Sequence, residues 1–303
     1  MPFWKSVPRI FHVPGLIDRP GKEMPVIELN FANKNLLVVG GTSGINRGVA
    51  EAFAREGARV AVISRNPEKV EASIAAFNQL GAADARGYAA DVRDLPALTG
   101  AMQQLQACWG ELDIVISGAA GNFPALAMGM SANAFRSVVE IDLLGTFHVM
   151  QAVYPLLRKP GASVINISAP QAVLPMLAQS HVSAAKAGVD MITRSLALEW
   201  GREGIRINSI IPGPIEGTEG MARLAPTESL RAAVQESVPM GRMGTPGDIA
   251  GACFFLASDL AAYVTGAVLP VDGGWVQGGV AVVGARLGEL LGNRQRDGAS
   301  ISD

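Results

Sequence analysis

Apolar residues recur at Val182, Ala185, Val189, Ile192, Leu196 and Trp200, a helical spacing that predicts a helix with one face to bury. Just upstream, Ser163 to Ser168 reads as a buried strand. Strand, loop and helix therefore bring Ser168 and Lys186 toward one cleft. Lys186 shares its helical turn with Ala184, Ala185, Ala187 and Gly188, small residues that let a neighbouring helix or a ligand come close.

The same patterning organises the rest of the chain. From Asn35, a strand (LLVVGG) passes through a glycine turn (TSGINRG) into a helix (VAEAFAREGA) and a second strand (RVAVIS). A helix opened by Pro67 runs through Leu80, and a strand follows near Arg86 to Ala90. A helix ending near Trp109 leads to the strand LDIVIS, then a long helix is expected from about Asn133 to Arg158. After the Lys186 helix come the core strand IRINSII, a helix from Asp248 to Ser258 and a closing strand within YVTGAVLPVDGG. Strands alternating with helices predict an α/β chain: one doubly wound Rossmann domain with a parallel sheet of about seven strands. Five prolines among residues 1–33 predict an irregular arm before a domain at 34–275, and 276–303 reads as a glycine-rich tail. Between Glu216 and about Met243 the chain reads as a mobile lid, with Met221, Leu224, Pro239 and Met240 offered to an apolar substrate.

The 303 residues suffice for one large domain, and a net charge of −2 gives no electrostatic case for nucleic acid or an anionic membrane. Small-molecule chemistry is the better expectation. No apolar run is long enough to span a bilayer or to form a signal peptide, and the final residues are not a Ser-Lys-Leu address, so a cytoplasmic protein is expected. Cys108 and Cys253 lie in apolar helical patterns without metal-ligand spacing and read as buried structural thiols, and no metal site is expected.

Chemistry concentrates at the strand ends. A glycine turn between two strands, through Gly40, Ser43, Gly44 and Ile45, suits a loop whose N–H groups approach a phosphate. Asn46 stands where a further glycine would be expected, and asparagine tolerates unusual backbone angles. The second strand ends in Ser64 and Arg65, a hydroxyl and a guanidinium that suit a ribose 2′-phosphate, although Arg65 reads equally as a solvated loop residue. Asp142, flanked by Ile141 and Leu143, is costly to bury ionised unless paired, and Lys186 is the partner the fold supplies. Asn122 reads either as a site residue or as a turn former bonding its own backbone, and Asp91 either as a site residue or as a helix cap. His148 reads as packing or solvent-facing; His181 reads as a substrate-pocket residue rather than a general base.

The Ser168–Lys186 arrangement resembles the short-chain dehydrogenase/reductase family, in which a serine and a Y-x-x-x-K pair form the active site. Val182 stands where the tyrosine would be, Ala169 where the serine usually is, and Asp142 where the active-site asparagine would be. Gly40 and Gly44 match the first two glycines of G-x-x-x-G-x-G, with Asn46 at the third. The segments AAGNF and GPIEGTEG, together with the aspartate and the missing tyrosine, are similar to the peroxisomal-type 2,4-dienoyl-CoA reductases. That resemblance implies NADP(H) as cofactor, held additionally by Asp91 and Val92 beside the adenine, Ala119, Pro212, Gly213, Ile215 and Lys186. It implies an acyl-CoA substrate, with Asn122 positioning the thioester, Asp142 and Lys186 relaying a proton, and Ser168 in support. It also implies a homo-oligomer, a tetramer or a dimer, built on the helices around Asp142 and Lys186. Another carbonyl or alkene substrate, or a non-catalytic NADP-binding scaffold or sensor, are the alternatives.

Overall fold

The computed structural model describes residues 29–279. Most of the expected arm and nearly all of the expected tail lie outside the described residues. Seven parallel strands form one sheet in the order β3-β2-β1-β4-β5-β6-β7: β1 Asn35–Val39, β2 Arg59–Ser64, β3 Asp84–Ala89, β4 Ile114–Ser117, β5 Ser163–Ile167, β6 Arg206–Pro212 and β7 Val268–Val271. Helices α1 Gly44–Arg55, α2 Pro67–Leu80 and α3 Leu95–Trp109 make the crossovers between the first strands.

Every residue of β1, β4 and β5 is buried, as expected of central parallel strands covered on both faces. Alternation then divides the core in two. Leu37 and Val39 join one layer with residues of α3 and of the helices after β4, while Leu36 and Val38 join the other with α1 and α2. Strand order reverses between β1 and β4, which opens a crevice at their carboxyl ends.

The long helix expected from about Asn133 to Arg158 is not one α-helix. It comprises α4 Ala132–Val138, a π-helical turn Val139–Leu144, α5 Gly145–Val153 and a 3₁₀ turn at Tyr154–Leu156. The Lys186 helix, α6, runs Ser180–Trp200. The expected lid contains α7 Glu219–Leu224 and α8 Glu228–Ser237, with a small core of their own in which Met221, Leu230, Val234 and Val238 pack with Met176 and Trp275. Helix α9, Pro246–Ala257, begins with a capping box between Thr245 and Asp248. Cys253 is buried, but Cys108 is exposed near the end of α3, so the expectation of two buried thiols is corrected at that position. Apolar neighbours in sequence placed Cys108 on a helix without fixing which way it faces.

Candidate active site

Two features centre the site on Asp142. The π-helical turn widens the helix at this residue, an insertion frequent at functional sites. Glycine at 145 then lets the helix lie against Val92, whose Cγ2 would be 2.6 Å from a Cβ there. Asp142, only 1% exposed, accepts the Gly121 N–H through Oδ1 at 2.7 Å, and its Oδ2 lies 3.4 Å from Lys186 Nζ. Helix α6 can approach this turn because position 188 is glycine: a Cβ there would lie 2.6 Å from Leu143 Cδ1.

Lys186, 5% exposed, donates to the Ile167 carbonyl at 2.9 Å. An ammonium has three donors, so one N–H beyond the carbonyl and Asp142 is left for a ligand. Burial pushes the Asp142 carboxyl above the usual carboxylate range, opposed by the Lys186 charge and the Gly121 N–H. A buried acid with a raised pKa beside a lysine is a candidate for proton transfer.

A cavity of about 390 Å³ runs from this pair to the phosphate loop. Ser168, Asn122, Asp142 and Lys186 line one part of it. Gly40, Ser43, Gly44 and Ile45 line another, with Ser64, Arg65, Asp91 and Val92 at the far end and Ala119, Pro212, Gly213 and Ile215 between. All the residues named from sequence for catalysis and for the cofactor therefore border one cavity. Val182 borders it as well, packed with Val138 and Ala185, and offers no hydroxyl. A larger hollow of about 1050 Å³ lies at the opposite, amino-terminal ends of the strands, beside Ile114 and Arg206, away from these groups.

The chain's own polar accounting shows what this cavity can hold. Ser43 makes no side-chain cap at the start of α1, whose first turn also lacks an acid; α6 shares both features, while α2, α3, α4, α7, α8 and α9 are each capped by a side chain. The leading N–H groups of α1 remain available to an anion, and the helix dipole favours one. The loop approaches closely as well: a Cβ on Gly40, whose φ is +79°, would lie 2.8 Å from the Ala119 nitrogen. Asn122 Oδ1, Ser168 Oγ and Gln171 Oε1 are buried without protein partners. Buried polar atoms are nearly always satisfied, so unpaired ones gathered at one cavity are acceptors and donors for a ligand. The residues thus fit an elongated dinucleotide with a phosphate group at α1 and a second, partly apolar molecule beside Lys186.

Thr42 donates to Ser64 Oγ at 2.9 Å, while the exposed Arg65 stands at the cavity rim. The Asp91 carboxylate is engaged by Arg93 at 2.7 Å and 3.0 Å, which holds it below the usual range. Helix α3 is capped by Asp94 instead, so Asp91 is not its cap. His148 packs with Nδ1 2.9 Å from the Val92 carbonyl. His181 is fully buried beside Phe123, with neither ring nitrogen hydrogen-bonded, and it does not line the cavity. The expectation of a substrate-pocket histidine is therefore corrected: α6 turns this ring inward beneath Phe123. Of the lid residues named from sequence, Met221 and Leu224 border the cavity and Pro239 and Met240 do not.

Sequence reasoning missed Gln171. It is buried, lines the cavity and has only the Met176 sulfur as partner, at 3.4 Å. It also missed Arg223, whose guanidinium donates to the Asn122 carbonyl at 3.2 Å across the cavity. Neither falls in a periodic or glycine-rich pattern, and only the folded loop brings them to the site. Among the described residues, no group of three or more His, Cys, Asp or Glu could hold a metal, and no helix is long and apolar enough to cross a membrane.

The chain matches the family model described as Enoyl-(Acyl carrier protein) reductase over residues 39–276. It is 42% identical over 245 residues to the peroxisomal 2,4-dienoyl-CoA reductase [(3E)-enoyl-CoA-producing] of Rattus norvegicus, covering 80% of this chain and 83% of the relative. The protein of the same name in Arabidopsis thaliana is 40% identical over 248 residues, covering 78% and 83%. A short chain dehydrogenase from Bacillus anthracis str. 'Ames Ancestor' has a similar structure, with a TM-score of 0.72, 39% identity and coverage of 80% and 96%.

Proposed function

This chain belongs to the short-chain dehydrogenase/reductase family of oxidoreductases, and from that premise we propose that it reduces 2,4-dienoyl-CoA to 3-enoyl-CoA with NADPH. The observation that carries the reading is the buried Asp142–Lys186 pair beside Val182. A carbonyl reductase needs an acid at the substrate oxygen, and here no tyrosine stands at the turn before Lys186. A conjugated thioester needs only stabilisation of its oxygen, because its proton goes to carbon.

When bound, the dihydronicotinamide supplies a hydride, which the conjugated system accepts at C5. Charge then spreads to the thioester oxygen, and protonation at C2 leaves the double bond between C3 and C4. The protein's part is electrostatic and positional. Lys186 holds the ribose hydroxyls and raises the local positive potential, while Asn122 positions the thioester and the unpartnered Gln171 Oε1 offers an acceptor to the bound molecule. Asp142, held against Gly121 and Lys186, passes the proton to carbon through a water, and Ser168 supports the polar wall. Arg65 and Ser64 suit the 2′-phosphate of NADPH at the cavity end.

The test is NADPH consumption with 2,4-decadienoyl-CoA, a simple 2-enoyl-CoA and a ketone in parallel, with product analysis. Oxidation with the dienoyl thioester alone, yielding 3-enoyl-CoA, is expected. Turnover of only the ketone or the simple alkene overturns the substrate assignment. NADPH binding without turnover of any substrate overturns catalysis and favours a non-catalytic scaffold.

A further inference from the structure

Asn46 occupies the place of a motif glycine without adopting a glycine's backbone. It lies within α1, and among the described residues only Asn33 and Ala178 are non-glycine residues with positive φ. The motif glycine normally gives close clearance between helix and strand. Here a side chain fills that clearance, and Asn46 is only 6% exposed.

Its room comes from across the cleft. A Cβ on Gly118, at the end of β4, would meet Asn46 Nδ2 and lie 2.7 Å from Oδ1 and 2.9 Å from Cγ. Real Cβ atoms do not come so close to such atoms, so a side chain at 118 would have to push the buried Asn46 amide out of its seat. The contact is also polar: Asn46 Nδ2 donates to the Gly118 carbonyl at 2.8 Å and approaches the Gly40 carbonyl at 3.5 Å. Two acceptors facing one point need a donor between them, which an amide supplies and a carboxylate cannot.

We propose that Asn46 and Gly118 form a reciprocal latch, the amide of one seated in the clearance of the other, that fixes the phosphate loop against segment 118–120 and so sets the span available to the cofactor. Asn46 is a positioning residue in this arrangement. The departure from the glycine motif is then a compensated exchange between two sites and not a loss of binding. The inference rests on the reading of this cavity as a dinucleotide site.

The experiment is a double-mutant cycle over wild type, N46G, G118A and N46G/G118A, with N46D as a fifth protein. Each is measured for NADPH affinity by fluorescence titration and for unfolding temperature without cofactor. G118A is expected to weaken NADPH binding at least about tenfold, the scale of coupling between contacting residues. N46G removes the overlap, so the double variant is expected to bind more tightly than G118A and to unfold at a higher temperature. N46D is expected to bind weakly, since a carboxylate of the same size turns an oxygen on the two carbonyls. G118A with wild-type affinity and stability, strictly additive effects in the cycle, or N46D indistinguishable from wild type would each overturn the latch. A wild-type protein that binds neither NADPH nor NADH sinks the dinucleotide reading instead. The unfolding temperatures still decide the latch in that case, and they do so equally if G118A folds poorly and the double variant does not.

Discussion

A carboxyl as buried as Asp142 is tolerated because the Gly121 N–H and the Lys186 ammonium converge on it, yet burial still keeps its pKa high. If Asp142 relays the proton, its protonated form is the active one. The rate should then fall as pH rises through its raised pKa, and that limb should be absent from D142N. Asparagine keeps the size and the Gly121 contact but cannot carry the proton, so kcat should drop about 10²- to 10⁴-fold with NADPH affinity preserved. A steady-state pH profile of both proteins decides this, and full activity in D142N removes the relay. Asp142 was legible in sequence because an acid set between Ile141 and Leu143 in an apolar helix demands a partner. Gln171 was not, since an isolated glutamine in a loop carries no such demand until its surroundings are known. His181 misled for the same reason, as its closeness in sequence to Lys186 did not reveal that its ring turns inward.

At the level of elements, the βαβ pattern around Gly40 and Gly44 was readable because strand alternation and helical spacing differ in period. The π-helical turn at Val139–Leu144 was not, because one inserted residue shifts the apolar stripe too little to register over so short a run. The start of α9 shows how local chemistry fixes an end that periodicity alone leaves loose. Asp248 accepts the Thr245 N–H at 2.7 Å and forms a two-pronged ion pair with Arg242 at 2.8 Å and 2.9 Å. The side-chain bond from Arg242 comes first among the contacts that hold its carboxyl far below the usual range. A depressed folded pKa means that this contribution is complete above the unfolded value of about 3.9 and is lost as pH falls toward the folded one. D248A should therefore cost about 1 kcal/mol at neutral pH, the usual value of such a cap, and progressively less below about pH 4. Denaturant melts at pH 7 and pH 3 measure it, and an equal cost at both would exclude the charge as the cause.

Across the molecule, the sheet explains why one cavity collects residues from Gly40 to Ile215: parallel strands end together, and the reversal between β1 and β4 parts their following helices. The opposite side of the same helices carries a different signal. On α6, Met191 is 56% and Leu198 85% exposed, one heptad apart, while Leu144 and Phe147 are exposed at the junction of the π-helical turn and α5. Isolated exposed apolar residues are ordinary, but a row along neighbouring helices marks a surface that another copy can cover. A homo-oligomer joined through α5 and α6 would bury this row and brace the helices whose inner faces hold Asp142 and Lys186. Light scattering should then give wild-type protein the mass of two or four chains. M191D/L198D should shift it toward one chain, since a charge at the centre of an apolar contact cannot be buried unpaired. Turnover should fall with the mass while the dilute double variant still binds NADPH, because the phosphate loop lies on the far side of the sheet's reversal from α6. A wild-type protein that runs as a single chain would leave these helices solvated and assign the rigidity of the Asp142–Lys186 pair to the packing of Gly188 against Leu143 alone.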